Sequence, residues 1–274
     1  MQIDTMSMLQ AVRVSAVDDA ESAGWTIDAT GDWSVRGDQN VSVGFQQERG
    51  IWLEDIGDQV YLAFPCATSE SLRGVVEMLF QLPEDAIGAF EVWKRDDRDE
   101  LSLAQGIYRS LDYIERITPY VRFPRRSGLP GEVWENRLAA CVNHLGTSPN
   151  FMRSAGARSA GLDFGVGLPF MKSEFELASV LLVMGSYRLP LFSAVEVWLL
   201  DSEGVGLERK HRIAMEGADE TPSKLRLSEG LVGYVAAARF PKLMLVGEGS
   251  SQTWQVAFPQ FVGNRLASVV CVTL

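Results

Sequence analysis

Ala89-Phe-Glu-Val-Trp93 returns as Ala194-Val-Glu-Val-Trp198, and two further stretches return behind it in the same order. Gly128-Leu-Pro-Gly131-Glu-Val recurs as Gly230-Leu-Val-Gly233-Tyr-Val. Leu177-Ala-Ser-Val-Leu-Leu-Val183 recurs as Leu266-Ala-Ser-Val-Val-Cys-Val272. Self-similarity in register is the mark of two copies of one fold. The second copy is shorter, mostly between its glycine motif and its last strand. Phe90-Glu-Val-Trp93 and Val195-Glu-Val-Trp-Leu199 alternate apolar and polar, the period of a half-buried strand. Asp96-Asp-Arg-Asp99 and Asp201-Ser-Glu-Gly204 then supply turn residues, so each copy opens with a hairpin. Leu177–Val183 and Leu266–Val272 are continuously apolar and rich in β-branched residues, as expected of a central strand buried on both faces. Between these strands, Leu129-Pro130-Gly131 fits a type II turn with Gly131 at positive φ. Short helices follow, from Glu132 in the first copy and from Leu231 in the second.

Upstream of the first copy, Ser69 reads as the cap of a helix over Glu70–Leu82. Leu72, Val75, Val76, Leu79 and Phe80 share one face at helical spacing, and Pro83 stops the run. The second copy has no such helix, because Tyr187–Leu191 leads directly into its first strand. One face of its sheet must therefore be covered by the first copy, by the N-terminal segment or by another subunit. The expectation is a homodimer or a tightly fused internal pair. Residues 1–66 form a small β-rich region: strands fall at Gly24–Ala29, Val41–Phe45, Ile51–Glu54 and Val60–Phe64, and a short helix fits within Met6–Ala20. The domain boundaries expected are 1–66, 67–188 and 189–274.

The chain has 274 residues, 46% of them hydrophobic and 22% charged, which is ordinary globular usage and excludes disorder and low complexity. No apolar run approaches the ~18–20 residues that span a bilayer. Met1-Gln-Ile-Asp4 has neither a basic nor an apolar leader region, so no signal peptide is expected and the location expected is cytoplasmic. The net charge is −11. Repulsion from phosphates makes nucleic acid and anionic membranes poor partners. Cys66, Cys141 and Cys271 are odd in number and sit in apolar settings, which fits reduced, buried thiols. Cys141 and His144 have metal-like spacing, but no second pair completes a site, so no metal is expected. No phosphate loop, dinucleotide fingerprint, Gly-x-Ser-x-Gly elbow or His-Glu-x-x-His is present. His144 and His211 are the only histidines. No enzymatic activity is expected.

The run Phe123-Pro-Arg-Arg-Ser-Gly-Leu-Pro-Gly-Glu-Val-Trp134 resembles the GAF domain family. So do Phe151-Met-Arg-Ser-Ala-Gly-Ala-Arg-Ser-Ala-Gly161, Gly167-Leu-Pro-Phe170 and the strand Leu177–Val183 behind it. The resemblance covers about residues 70–185 well and 190–274 more weakly. It implies an α+β fold: two GAF-like (PAS-like) antiparallel-sheet domains with flanking helices, preceded by the β-rich N-terminal region. GAF modules bind small molecules or serve as dimerising sensory units. The implied function is a non-catalytic sensory or regulatory protein that binds a small molecule and signals to a separate protein partner. A ligand-free dimerisation or interaction scaffold on the same fold is the alternative, and a thiol-dependent enzyme comes third. The ligand does not carry over. The Asn-Lys-x-x-x-Phe-x-x-x-Asp-Glu signature of cyclic-nucleotide binders is absent, and Cys141 and His144 are not placed as in bilin binders. The implied pocket has Trp134, Phe151 and Phe164 as aromatic walls and Asn143, His144, Arg153 and Arg158 as polar groups, the composition of a small-molecule site.

Overall fold

The computed structural model describes residues 8–16, 24–28, 50–215, 222–247 and 252–274. Three antiparallel sheets make up the fold. The first is built from β1 (Leu9–Ala16), β2 (Gly24–Asp28), β3 (Trp52–Ile56), β4 (Gln59–Ala67) and β5 (Leu72–Gln81), in the order β2-β1-β5-β4-β3. The second contains β6 (Gly88–Arg95), β7 (Leu101–Tyr108), β8 (Arg122–Phe123), β9 (Ala140–Asn143), β10 (Phe164–Met171) and β11 (Leu177–Gly185), in the order β8-β7-β6-β11-β10-β9. The third contains β12 (Ala194–Leu200), β13 (Gly206–Ala214), β14 (Lys224–Arg226), β15 (Lys242–Val246), β16 (Thr253–Val262) and β17 (Arg265–Thr273), in the order β14-β13-β12-β17-β16-β15. In all three, the opening strand lies between the second strand and the last. Trp93 and Trp198 stand at the same place in their sheets, each one residue past a bulge in the opening hairpin.

The expected α+β fold with flanking helices is overturned. Strand makes up 50% of the structure and helix 15%, and the two six-stranded sheets are curled half-barrels. The helices are short and lie between strands: α1 (Asp112–Ile117), α2 (Gly128–Asn136), α3 (Ser154–Ala160) and α4 (Gly230–Ala238). The helix expected over Glu70–Leu82 is β5. Val76, Met78 and Phe80 face one side, Val75 and Glu77 the other, and β5 pairs with β1 and β4 along both edges. Two-sided pairing favours Val75 and Val76 as strand residues, and this context overrides the helical spacing. Likewise, the described part of the Met6–Ala20 helix is β1. The strand expected at Val41–Phe45 lies outside the described residues. Phe90–Trp93 is buried on both faces rather than half-buried.

The three sheets close around one core. Val12, Phe64 and Met78 from the first, Phe90, Val166 and Leu181 from the second, and Val195, Phe258 and Val270 from the third belong to a single apolar cluster. The edge strand of each sheet meets the next sheet in turn. Gln105 of β7 donates to the Leu53 carbonyl of β3 at 2.6 Å, β9 packs on β13, and β15 packs on β1. Arg109 locks the first junction with a bidentate pair to Asp55, 2.9 Å on both arms. Pro65, Pro169 and Pro259 pair with Val75, Val180 and Val269, and each is followed by a bulge between the first and second residues beyond it. Proline is tolerated in a strand at such bulges. Phe64 meets Phe170 and Phe258 edge-on there, at 5.4 and 4.9 Å. The uncovered face foreseen for the second copy is thus covered within the chain, and the stripe foreseen on a helix is a buried strand. Neither feature calls for a second subunit.

The opposite faces of the two six-stranded sheets carry the helices. Leu129, Val133 and Trp134 of α2 seal the second sheet, and Leu231, Val232 and Val235 of α4 seal the third. The type II turn at Gly131 does not form, since Gly131 lies inside α2. Positive φ falls at Gly128 and Gly230, both +61°. Gly131 and Gly233 are needed for close approach instead: a Cβ would strike the Pro124 carbonyl oxygen in the first and the Arg226 carbonyl oxygen in the second. Gly131→Val and Gly233→Val should each cost about 2–3 kcal/mol, read as an earlier denaturant midpoint. An unchanged midpoint would refute the contact. Arg126→Ala, which removes an exposed partner of Glu135, should cost no more than about 1 kcal/mol.

Candidate functional site

The seven residues expected to line a pocket do not converge. Trp134, Phe151 and Arg153 lie on the helix-covered face of the second sheet. Phe164 points to the opposite face, into the shared core, against Phe192 at 5.3 Å. Asn143, His144 and Arg158 are exposed. Asn143 accepts from the Tyr187 hydroxyl at 2.8 Å, and Arg158 donates to the Gly146 carbonyl at 2.9 Å. Only Asn143 and Phe164 lie on strands, paired directly across β9 and β10 and so on one face of the sheet; the other five come from helices and loops.

What the helix-covered face does hold is a buried ion pair. Glu91, on β6, is fully buried. Its Oε1 and Oε2 receive Arg153 Nη1 and Nη2, the second at 2.8 Å. Trp93 Nε1 donates to Oε2 and the Tyr108 hydroxyl to Oε1, both at 2.9 Å. Arg153 Nη1 also donates at 2.7 Å to Thr118 Oγ1, which donates onward to the Ile114 carbonyl. The guanidinium lies over the rings of Phe151 and Trp93, 5.3 and 5.7 Å from their centroids. Burial alone would push Arg153 down. The Glu91 carboxylate outweighs it and holds the guanidinium above its ordinary value, so it stays charged. Burial and the Glu91 charge push the Tyr108 phenol up, so it remains a donor. One atom is left over: Arg153 Nε is buried with no hydrogen-bond partner.

The third sheet repeats this arrangement with different parts. Trp198 Nε1 donates to Glu196 Oε2 at 3.2 Å, and Arg209 Nη1 to Glu196 Oε1 at 2.8 Å. The Arg209 guanidinium lies 5.7 Å over the Trp198 ring, the distance of Arg153 from Trp93. Arg209, however, comes from the neighbouring strand, paired across from Trp198, where the second sheet has Leu103 paired with Trp93. Arg153 comes from the long connection between β9 and β10. Glu91, Thr118, Tyr108 and Glu196 escaped the sequence analysis. Their signal was the glutamate repeated inside the two Glu-Val-Trp stretches, which alternation assigned to a wet face.

Elsewhere, an open groove of about 550 Å³ runs between the end of α2 and the β12–β13 hairpin, with Arg137, Glu174, Asp201 and Arg265 among its walls. None of the expected pocket residues lines it. Among the described residues no three His, Cys, Asp or Glu side chains gather as metal ligands, and no helix is long and apolar enough to cross a membrane. The three cysteines are unpaired. Burial pushes all three thiols up, that of Cys141 to about 12. Cys66 and Cys271, the two buried thiols, should therefore resist alkylation at pH 8 in the folded protein and react only as it unfolds; rapid labelling of either in the native protein would contradict its burial. No protein-family model and no curated protein matches this chain.

Proposed function

We propose that the chain is a non-catalytic regulatory protein that receives a small-molecule signal at the helix-covered face of its second sheet and passes it to a separate protein. The observation that carries this is the Glu91–Arg153 pair. It is a charged, aromatic-walled cluster that brings together two of the residues expected at a ligand pocket, Phe151 and Arg153, and its cation arrives on the long connection between β9 and β10. The raised thiols weigh against the thiol-enzyme alternative, since the thiolate is the nucleophile. A cytoplasmic location belongs to this proposal and is supported by the three unpaired cysteines.

A second reading, an interaction scaffold without a ligand, is favoured by the site's being filled by the chain's own side chains. Native mass spectrometry of protein purified without denaturation separates the two. The regulatory reading expects a bound compound retained on the 30.2 kDa chain. The scaffold reading expects a bare chain with a stoichiometric protein partner. Turnover of a bound compound would overturn both.

A further inference from the structure

The two six-stranded sheets satisfy the same buried glutamate with a guanidinium in the same place, but from different sources. In the third sheet two arginines, Arg209 at 2.8 Å and Arg212 at 3.3 Å from Glu196 Oε1, stand on the adjacent strand, fixed by the β-ladder. In the second that strand position is Leu103, and the guanidinium arrives on residues 144–163, the connection from β9 to β10. The matching connection in the third sheet is only residues 247–252. The longer segment contributes Leu145, Phe151, Ala157 and Leu162 to the outer apolar cluster. Its two ends are clamped together by Leu145 N–H donating to the Asp163 carbonyl at 2.9 Å. With its ends joined, the segment forms one unit, and opening it exposes Leu145, Phe151, Ala157 and Leu162 of the outer cluster together with Arg153. Lifting it withdraws Arg153 and leaves Glu91 buried and unpaired, a strongly unfavourable state unless another cation enters.

We propose that residues 144–163 are a displaceable lid, and that Arg153 is the built-in stand-in for a guanidinium-bearing ligand. The receptor left behind is specific for that group. The Glu91 carboxylate offers a bidentate acceptor, Thr118 Oγ1 accepts a third N–H, and the Trp93 face takes the plane of the cation. A compact ammonium cannot make the bidentate contact or stack in the same way. Arg153 Nε is the one N–H of the group left without a partner. This inference rests on the regulatory reading above and names its ligand class and moving part.

Two experiments test it by hydrogen exchange. The double variant L103R/R153A moves the cation onto the strand, as in the third sheet. It should keep β6 and β11 protected while amides of residues 144–163 exchange at least tenfold faster. An unchanged lid would overturn the latch. If that variant fails to fold, the wild-type chain decides. Agmatine at 10 mM should accelerate lid exchange at least tenfold, and putrescine, which carries an ammonium in place of the guanidinium, should not. Equal effects, or none with either agmatine or an acetyl-Gly-Arg-Gly-amide peptide, would overturn the guanidinium site. Displacement by agmatine marks a free guanidine as the ligand; displacement by the peptide alone marks an arginine presented by a protein. A lid that stays shut overturns this inference only. The regulatory reading is decided by the retained compound, wherever on the protein it binds.

Discussion

Arg153→Ala should destabilise the protein by about 3–5 kcal/mol, because it strips the partner from a buried carboxylate while leaving the carboxylate in place. Glu91 has no exposed surface, and the remaining donors, Trp93 Nε1 and the Tyr108 hydroxyl, are neutral. The size of the loss comes from the orphaned charge, and the attraction between the partners is the smaller part of it. The double replacement Glu91→Gln with Arg153→Met should therefore cost less than Arg153→Ala alone, since no unpaired charge remains. Urea titration of the two variants against the wild type checks this. If the double variant were as unstable as the single one, the penalty would lie in lost packing of the segment and not in the charge.

Phe64→Ala should cost about 3–5 kcal/mol. Phe64 is almost fully buried and touches an aromatic ring from each of the other two sheets. Truncation opens a cavity where three sheets meet, so no single sheet can collapse to fill it. Ala63, its neighbour in the strand, faces the small outer cluster with Val75, and Ala63→Gly should cost far less, about 1 kcal/mol. Comparable losses from the two would mean that Phe64 is not the junction of the three sheets.

Much of the two-copy organisation could be read from the sequence, because it rests on residues whose chemistry is local. Turn-forming Asp96–Asp99 and Asp201–Gly204 do close the hairpins β6–β7 and β12–β13, with Asp96 and Asp201 carboxylates accepting backbone N–H groups. The apolar runs at Leu177–Val183 and Leu266–Val272 are central strands. The first sheet was misjudged where local signals compete. Leu72, Val75, Val76, Leu79 and Phe80 satisfy a helical stripe as well as a strand buried on both faces, and only the partners β1 and β4 decide between them. A fourth echo lies across the first and third sheets. Ala63-Phe64-Pro65 matches Ala257-Phe258-Pro259, with Leu168-Pro169 between them in the chain, and these proline strands are what gather at the centre.

The site was legible in composition and not in geometry. Trp134, Phe151 and Arg153 were named because the motif resemblance implies a pocket there, and of the three only Phe151 and Arg153 meet in the buried cluster. Phe164 was misplaced because the face a strand residue takes depends on register, which is set by β11 and β9 on either side. Glu91 was missed because a carboxylate in a strand looks like a solvent-facing residue until a buried cation is found for it. That cation lies 62 residues away, at Arg153, and only the packing of α3 on the sheet reveals it.

The central claim is that the N-terminal sheet and the two repeats share one core and are not beads on a string. Native-state hydrogen exchange under increasing denaturant tests it most directly, by comparing amides in β5, β11 and β17, the last strand of each sheet. A shared core predicts that the slowest amides of all three open with one common free energy, equal to that of global unfolding. A separate, lower opening free energy for β5, with β11 and β17 still protected, would contradict it.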